Sequence, residues 1–154
     1  MKKFFWFFLI LSACSFARNN PIDCNSFDVN IENKLFHKPL FFANLKREIT
    51  YKLNPLRNEN SSNVCVIDVS INNVSYDSLT NAVGTTSRTN VNTRANFSFK
   101  IGDKDVLKNS SISVFYGKNE EGSRYSNYKN EEKTEEELAK NIANEIYKEI
   151  VVNL

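Results

Sequence analysis

One cysteine near the start of the chain lies in a sequence that directs covalent attachment of lipid. Lys2 and Lys3 precede an unbroken apolar run over residues 4–11, and residues 11–14 read Leu-Ser-Ala-Cys. A basic start, an apolar stretch too short to span a bilayer and small residues before a cleavage point are typical of a secretory signal peptide. Because Cys14 stands at that point, we expect a bacterial lipoprotein signal, with diacylglycerol on the Cys14 sulfur and an acyl chain such as palmitate on its amine. The alternative is an ordinary signal peptide that ends near a cysteine.

Cleavage before Cys14 divides the chain into a signal peptide over residues 1–13, a lipidated tether over 14–25 and one domain over 26–154. Several acyl chains bury enough methylene groups to make anchoring effectively permanent. Loss of Lys2 and Lys3 leaves 18 of the 20 basic residues, against 18 acidic ones. This balance excludes the strongly basic footprint of a protein that binds nucleic acid.

Two further cysteines form an even pair in a compartment where disulfides persist. Cys24 and Cys65 are therefore candidates for a disulfide. The alternative is that Cys65, which is in phase with the apolar residues of a predicted strand, is a small buried hydrophobic residue. Two cysteines and the single His37 lack the ligand spacing of a zinc site. We expect no metal and no cofactor beyond the lipid on Cys14.

Catalytic residue patterns find little support in this sequence. His37 is the one histidine, and Ser123 follows Gly122 without the rest of a nucleophile elbow. The carboxylates concentrate on one predicted helix. We expect a protein that is not an enzyme.

Basic residues recur along one strand and the turn after it. Arg88, Arg94 and Lys100 share one parity at spacings of six, and a strand spreads them over about 40 Å, which is too far to grip one phosphate together. Lys104 and Lys108 form a second, looser cluster near the following turn. Arginine and lysine make charge-assisted contacts with phosphate. The alternative is that these charges only keep an exposed sheet face soluble.

Three tyrosines near the last helix are candidates for an interface. Tyr116, Tyr125 and Tyr128 each offer a rigid apolar body with a polar tip. They serve equally well to pack the preceding loop onto the helix.

The first half of the domain predicts a strand and a helix. Apolar residues alternate over 27–31, as in a half-buried strand. Pro39 then precedes apolar residues at spacings of three and four, which predict a helix over residues 40–53 that ends before Asn54 and Pro55. Its apolar positions are Phe41 or Phe42, Leu45, Ile49 and Leu53.

The second half predicts three antiparallel strands and a final helix. Residues 65–71 and 91–101 alternate, residues 102–103 form a tight turn, and a further strand runs over about 106–116. Thr134 and Glu137 form a capping box ahead of an apolar stripe over residues 138–150. The order βαβββα predicts an α+β two-layer sandwich, in which a mostly antiparallel four-stranded sheet carries two helices on one face.

In this order of elements the chain resembles the lipopolysaccharide-assembly lipoprotein family, LptE. The likeness is carried by the lipid signal at Cys14, by residues 40–53 with Leu-Lys-Arg-Glu-Ile at 45–49, and by the threonine- and arginine-bearing strand pair over 83–99. The tyrosine-containing segment 123–128 with the helix over 137–146 completes it. The likeness spans nearly the whole mature chain.

The resemblance implies a protein on the periplasmic face of the outer membrane that docks inside an LptD-type β-barrel, supports its assembly and helps deliver lipopolysaccharide. It makes Arg88, Arg94, Lys100, Lys104 and Lys108 candidate contacts to lipopolysaccharide or the barrel. Two other functions remain open. One is a periplasmic lipoprotein that regulates peptidoglycan synthases, for which the tether is short, and the other is an auxiliary lipoprotein of a lipid-transport ABC system.

Overall fold

The computed structural model describes residues 22–32, 39–80, 86–119 and 124–154. It contains four strands and two α-helices in these ranges. They are β1 (Ser26–Glu32), α1 (Pro39–Leu53), β2 (Val64–Thr80), β3 (Thr86–Ile101), β4 (Lys104–Asn119) and α2 (Arg124–Val152), with a 3-10 turn at Asn54–Leu56 after α1.

The four strands form one sheet in the order β1-β2-β3-β4. β1 and β2 are parallel, because α1 connects them and returns the chain to the same end of the sheet. β2, β3 and β4 are antiparallel neighbours. The predicted α+β class, the order βαβββα and the mostly antiparallel sheet are confirmed.

The core lies between one face of the sheet and the two helices. In β2 and β3 the buried residues alternate with exposed or half-buried ones, and the α1 and α2 stripes predicted from helical spacing are buried against them. Both phenylalanines at the start of α1 are buried, and their rings meet edge to face with centroids 5.2 Å apart. The buried strand residues include Val29, Cys65, Ile67, Val69, Ile71, Val91, Ala95, Phe97, Phe99, Ile112 and Val114. Burial of these rows supplies the main driving force for folding.

Shifts in strand pairing explain why the alternating apolar patterns in the sequence are shorter than strands β2 and β4 themselves. β2 continues to Thr80, but its pairing with β3 shifts between Ile71 and Asn73, so the alternation changes parity there. β4 begins at Lys104 and carries two register shifts near its start, where Asn109 takes φ 53°. Asparagine tolerates this left-handed conformation better than most residues. The predicted turn is confirmed at Gly102, whose φ of 54° at the first turn position suits a type II′ hairpin.

The predicted capping box of the last helix is wrong. α2 begins at Arg124, so Thr134 and Glu137 lie inside the helix, and Thr134 is buried. The stretch before Thr134 is rich in glutamate and lysine, which are good helix formers. Residues of this kind let the helix start ten residues earlier without an apolar stripe to mark it.

Two phenylalanines on neighbouring strands test which sheet face is the core. Phe97 is fully buried, whereas Phe115 is 61% exposed on the other face. We expect Phe97→Ala to lower the free energy of unfolding by about 3–5 kcal/mol because it removes contacts and leaves a cavity. Phe115→Ala should change it by less than about 0.5 kcal/mol. Urea denaturation of both variants makes the measurement, and equal losses would contradict the assignment of the faces.

Candidate functional site

The segment that leads from the lipid signal into the domain is held by a disulfide. Cys24 and Cys65 are bonded through their sulfurs, with Cα atoms 5.6 Å apart, and both residues are fully buried. Cys65 therefore combines the two roles that the sequence left as alternatives. Ile22, in the same segment, is also buried.

Backbone hydrogen bonds fix this segment in addition. Ile22 N–H donates to the Leu56 carbonyl at 2.7 Å, and Asn25 N–H donates to the Asn63 carbonyl at 2.8 Å. Asn58 N–H donates in turn to the Cys24 carbonyl at 2.8 Å. The described part of the predicted tether, residues 22–25, is thus packed on the domain.

These contacts locate the end of the sheet from which the N-terminal segment leaves. β1 and β2 both begin there, with Ser26 opposite Val64, and Gly102 N–H of the β3–β4 turn donates to the Val64 carbonyl at 3.0 Å. We call this end the anchor end. Cys14 lies eight peptide units before Ile22, so the chain allows at most about 28 Å between these two residues.

The sheet face away from the helices, which we call the open face, is polar along all four strands. It is formed by Asp28, Asn30, Glu32, Val66, Asp68, Ser70, Asn92, Arg94, Asn96, Ser98, Lys100, Ser111, Ser113 and Phe115. Asp68 lies near its centre and accepts hydrogen bonds from Asn30 Nδ2 at 3.1 Å and Ser98 Oγ at 3.5 Å. A shallow depression of about 230 Å³ lies over these residues. Amides, hydroxyls and carboxylates here suit contact with water or with another polar surface.

The candidate basic residues do not form one cluster. Arg94 is exposed and Lys100 half-buried on the open face, while Lys104 and Lys108 lie beside the anchor end. Lys108 Nζ lies 2.8 Å from Asp105 Oδ2, so part of its charge is already compensated. These basic side chains are spread along the strands, as the sequence predicted. A single phosphate cannot be shared among them.

The Asp105–Lys108 contact shifts the acid–base behaviour of both groups. The hydrogen bond from Lys108, followed by the charges of Lys108 and Lys100, lowers the pKa of the Asp105 carboxyl below its usual value. The same hydrogen bond raises the pKa of Lys108. The stabilising effect of the Asp105–Lys108 ion pair is therefore lost when pH falls through the lowered pKa of Asp105 or rises through the raised pKa of Lys108. The ion pair is intact across the neutral range.

Several sequence predictions fall on parts that the structure does not describe. Cys14 lies outside the described residues. The side chains of Arg88, Tyr116, Tyr125 and Tyr128 lie outside them as well. The backbone register pairs Arg88 with Leu79 on one side and Asn119 on the other. The lipidation of Cys14 and the contacts expected of Arg88 and of the three tyrosines stay predictions.

Sequence reasoning missed the exposed aromatic ring of Phe115. This residue lies on the open face, beside Asn92 of β3. It shares this face of β4 with Ser111 and Ser113, whereas its chain neighbour Val114 is buried. The signal was present, because Phe115 is an apolar residue in phase with Ser111 and Ser113 rather than with Ile112. Its ring is therefore an exposed apolar group on an otherwise polar parity of β4.

Among the residues of the described ranges, no three histidine, cysteine, aspartate or glutamate side chains are grouped as they are around a metal ion. Within the same ranges, neither helix combines the length and apolar character that crossing a bilayer requires.

Solved structures of bacterial lipoproteins share this fold. Rare lipoprotein B from Shewanella oneidensis superposes with a TM-score of 0.58 at 11% identity, covering 83% of this chain and 95% of that one. A lipoprotein from Caulobacter crescentus gives 0.60 at 9% identity, with coverage of 84% and 90%. A minor lipoprotein from Acinetobacter baumannii gives 0.54 at 12% identity, with coverage of 86% and 95%. At these identities the likeness is one of fold.

No protein-family model and no curated protein sequence matches the chain. Its relation to the three lipoproteins therefore rests on the arrangement of strands and helices.

The disulfide should contribute strongly to stability. Cys24 and Cys65 are 41 residues apart, and chain entropy predicts about 4 kcal/mol for a closed loop of that length. We expect the double variant Cys24→Ala, Cys65→Ala to lose about 2–4 kcal/mol in urea denaturation. Reductant should weaken the parent protein to a similar degree and leave the double variant unchanged. Insensitivity of the parent to reductant would contradict this role.

The Asp105–Lys108 contact can be tested by titration. We expect Lys108→Met to raise the pKa of Asp105 toward its usual value, because the largest cause of its lowering is removed. NMR of the Asp105 carboxyl carbon against pH measures the change. Lys104→Met, which removes a charge from the same turn, should produce a smaller change. An unaltered Asp105 pKa in Lys108→Met would show that the contact does not form in solution.

Proposed function

We propose that this chain is a lipid-anchored protein of the bacterial envelope that works as an LptE-type subunit. It docks in the lumen of an LptD-type β-barrel from the periplasmic face of the outer membrane. There it supports assembly of the barrel and helps deliver lipopolysaccharide to the cell surface. The protein acts by binding and not by catalysis.

Two observations carry this proposal: the described part of the open face is mostly polar, and the strands that form it are long. The interiors of outer-membrane barrels are polar and wet, so a domain that fills one needs a hydrophilic surface along its length. β2, β3 and β4 have 17, 16 and 16 residues, which corresponds to about 50–55 Å. A bilayer with its headgroup regions is about 40–45 Å thick. The sheet is therefore long enough to pass through a barrel from one side of the membrane to the other.

The disulfide supports a location outside the cytoplasm. Buried disulfides form and persist in oxidising compartments such as the periplasm and are rare in the cytosol. The disulfide is independent of the lipid signal at Cys14 and favours the same location outside the cytoplasm. Ser15, rather than an aspartate, follows Cys14, which favours sorting to the outer membrane.

The anchor end supports a defined orientation. A lipid on Cys14, eight peptide units before Ile22, would hold the anchor end nearer the leaflet than the opposite end of the sheet, where β2 ends at Thr80 and β3 begins at Thr86. A domain held in this way presents its whole sheet length to a partner that spans the same membrane. Arg94 and Lys100, on the open face, then become the charges available to the barrel wall or to phosphates that pass it.

Affinity purification from detergent-solubilised membranes tests the proposal. We expect the mature chain to recover an outer-membrane β-barrel, and the double variant Arg94→Glu, Lys100→Glu to recover severalfold less of it because two charges on the open face are reversed. Lys140→Glu, on the exposed side of α2, is the matched control and should recover as much as the parent chain.

Fatty-acid labelling and depletion complete the test. Labelled palmitate should appear on the parent chain and not on Cys14→Ala, and depletion should leave the barrel misassembled and lipopolysaccharide in the periplasm. Recovery of a peptidoglycan synthase, or of substrate-binding subunits of an ABC system, would replace the proposal by one of the other two functions. Normal surface delivery of lipopolysaccharide after depletion would also overturn it.

A further inference from the structure

We propose that the outer edge of β4 over residues 110–117 binds an extended segment of a partner polypeptide, which adds to the sheet as a fifth strand. This goes beyond the proposed function and does not depend on it. A closed barrel would contact the open face and not the backbone of this edge, because its strands already pair with one another and leave no free edge.

The sheet formed by the described residues has two edge strands, β1 and β4. Their sequences differ in how far they protect the edge against pairing with another strand. Edge strands expose unpaired backbone N–H and C=O groups, and proteins blunt them by short length, charges, prolines or bulges. β1 has seven residues and carries the exposed charges of Asp28 and Glu32. The β1 edge is therefore protected against addition of another strand.

β4 is protected only near the anchor end. Its first six residues contain two register shifts and the charges of Lys104, Asp105 and Lys108. From Ser110 to Asn119 it pairs residue for residue with β3, and residues 110–117 contain no charge, proline or bulge. A regular edge of eight residues is long enough to pair with one added strand.

Next to this edge lies space for the side chains of the added strand. A groove of about 520 Å³ is lined by Val114 of β4 and by Asn141, Asn144 and Tyr147 of α2, with the charged side chains of Lys52, Glu145 and Lys148 also at its wall. A groove between an edge strand and a helix is the arrangement in which strand addition takes its affinity from the backbone and its specificity from alternate side chains. Phe115, at 61% exposure, offers an aromatic contact on the other face of the same strand.

The position of α2 favours a single strand over a second copy of this chain. α2 packs against β4 far more than against β3. Paired strands lie about 4.8 Å apart, whereas packed helices need about 8–10 Å between their axes. A second copy that paired through its own β4, with its helices on the same face, would bring two α2 helices closer than that. A segment without a helix of its own meets no such obstacle.

The test uses the mature lipidated chain in detergent and a phage-displayed library of extended peptides. We expect enriched peptides to alternate apolar and polar residues without a central proline, and to slow amide hydrogen exchange in residues 110–117 of the protein. N-methylation at alternate peptide positions should weaken binding at least tenfold by removing ladder hydrogen bonds. Methylation at the positions between them should have little effect, which is the signature of strand addition.

A matched pair of variants locates the site. Phe115→Lys should weaken the selected peptides at least tenfold, because it removes the aromatic contact and places a charge on the edge. Asn92→Lys, directly opposite on the interior strand β3, should leave their affinity within twofold. Retention of the disulfide and of the thermal midpoint shows that both variants are folded.

Three results would overturn the proposal. They are the absence of enriched peptides, binding that is indifferent to the pattern of N-methylation, and dimerisation of the chain through β4 with rising concentration. The last would mean that the edge is occupied by a second copy. None of these results bears on recovery of a barrel through the open face, so the two proposals fail separately.

Discussion

The structure depends on the two-residue period of side chains in β2 and β3. One row of each strand is apolar and lies under the helices, and the other is polar and forms the open face. A slip of one residue between these strands would bring Asp68 and Ser98 into the core and expose Ile67 and Phe99, which burial of apolar surface strongly opposes. The same alternation therefore fixes strand register, positions α1 and α2 over one face and leaves the other face free for function.

The disulfide extends this order to the N-terminal segment. Without Cys24 the segment before β1 would be held to the connection between α1 and β2 by a few backbone hydrogen bonds. The bond to Cys65 joins it directly to β2, a central strand whose neighbours on both sides are paired. The direction in which the tether leaves the domain is thus tied to the most firmly held part of the sheet.

Two surfaces of the sheet suit different kinds of recognition. The open face offers dispersed polar and basic side chains over a long distance, as suits a broad wet surface rather than one small ligand. The distal edge of β4 offers a backbone ladder, which accepts any extended chain and derives selectivity from a few side chains such as Phe115. Local ion pairing separates the basic residues further, because Lys108 is engaged by Asp105 while Arg94 lies far along the strand. Neither surface interferes with the core that supports both.

The sequence by itself determined the α+β class, the range of α1 and the apolar rows of the strands, because these are expressed in spacings of two, three and four residues. It also identified Cys24 and Cys65 as candidates for a disulfide and left open whether they bond. Tertiary structure alone decided that β1 lies parallel to β2 and that β2 continues past the irregularity at Asn72. The physical reason is that periodicity is a local property of the chain. Pairing partners, bulges and the bond between Cys24 and Cys65 depend instead on residues that are distant in sequence and meet only in the folded sheet.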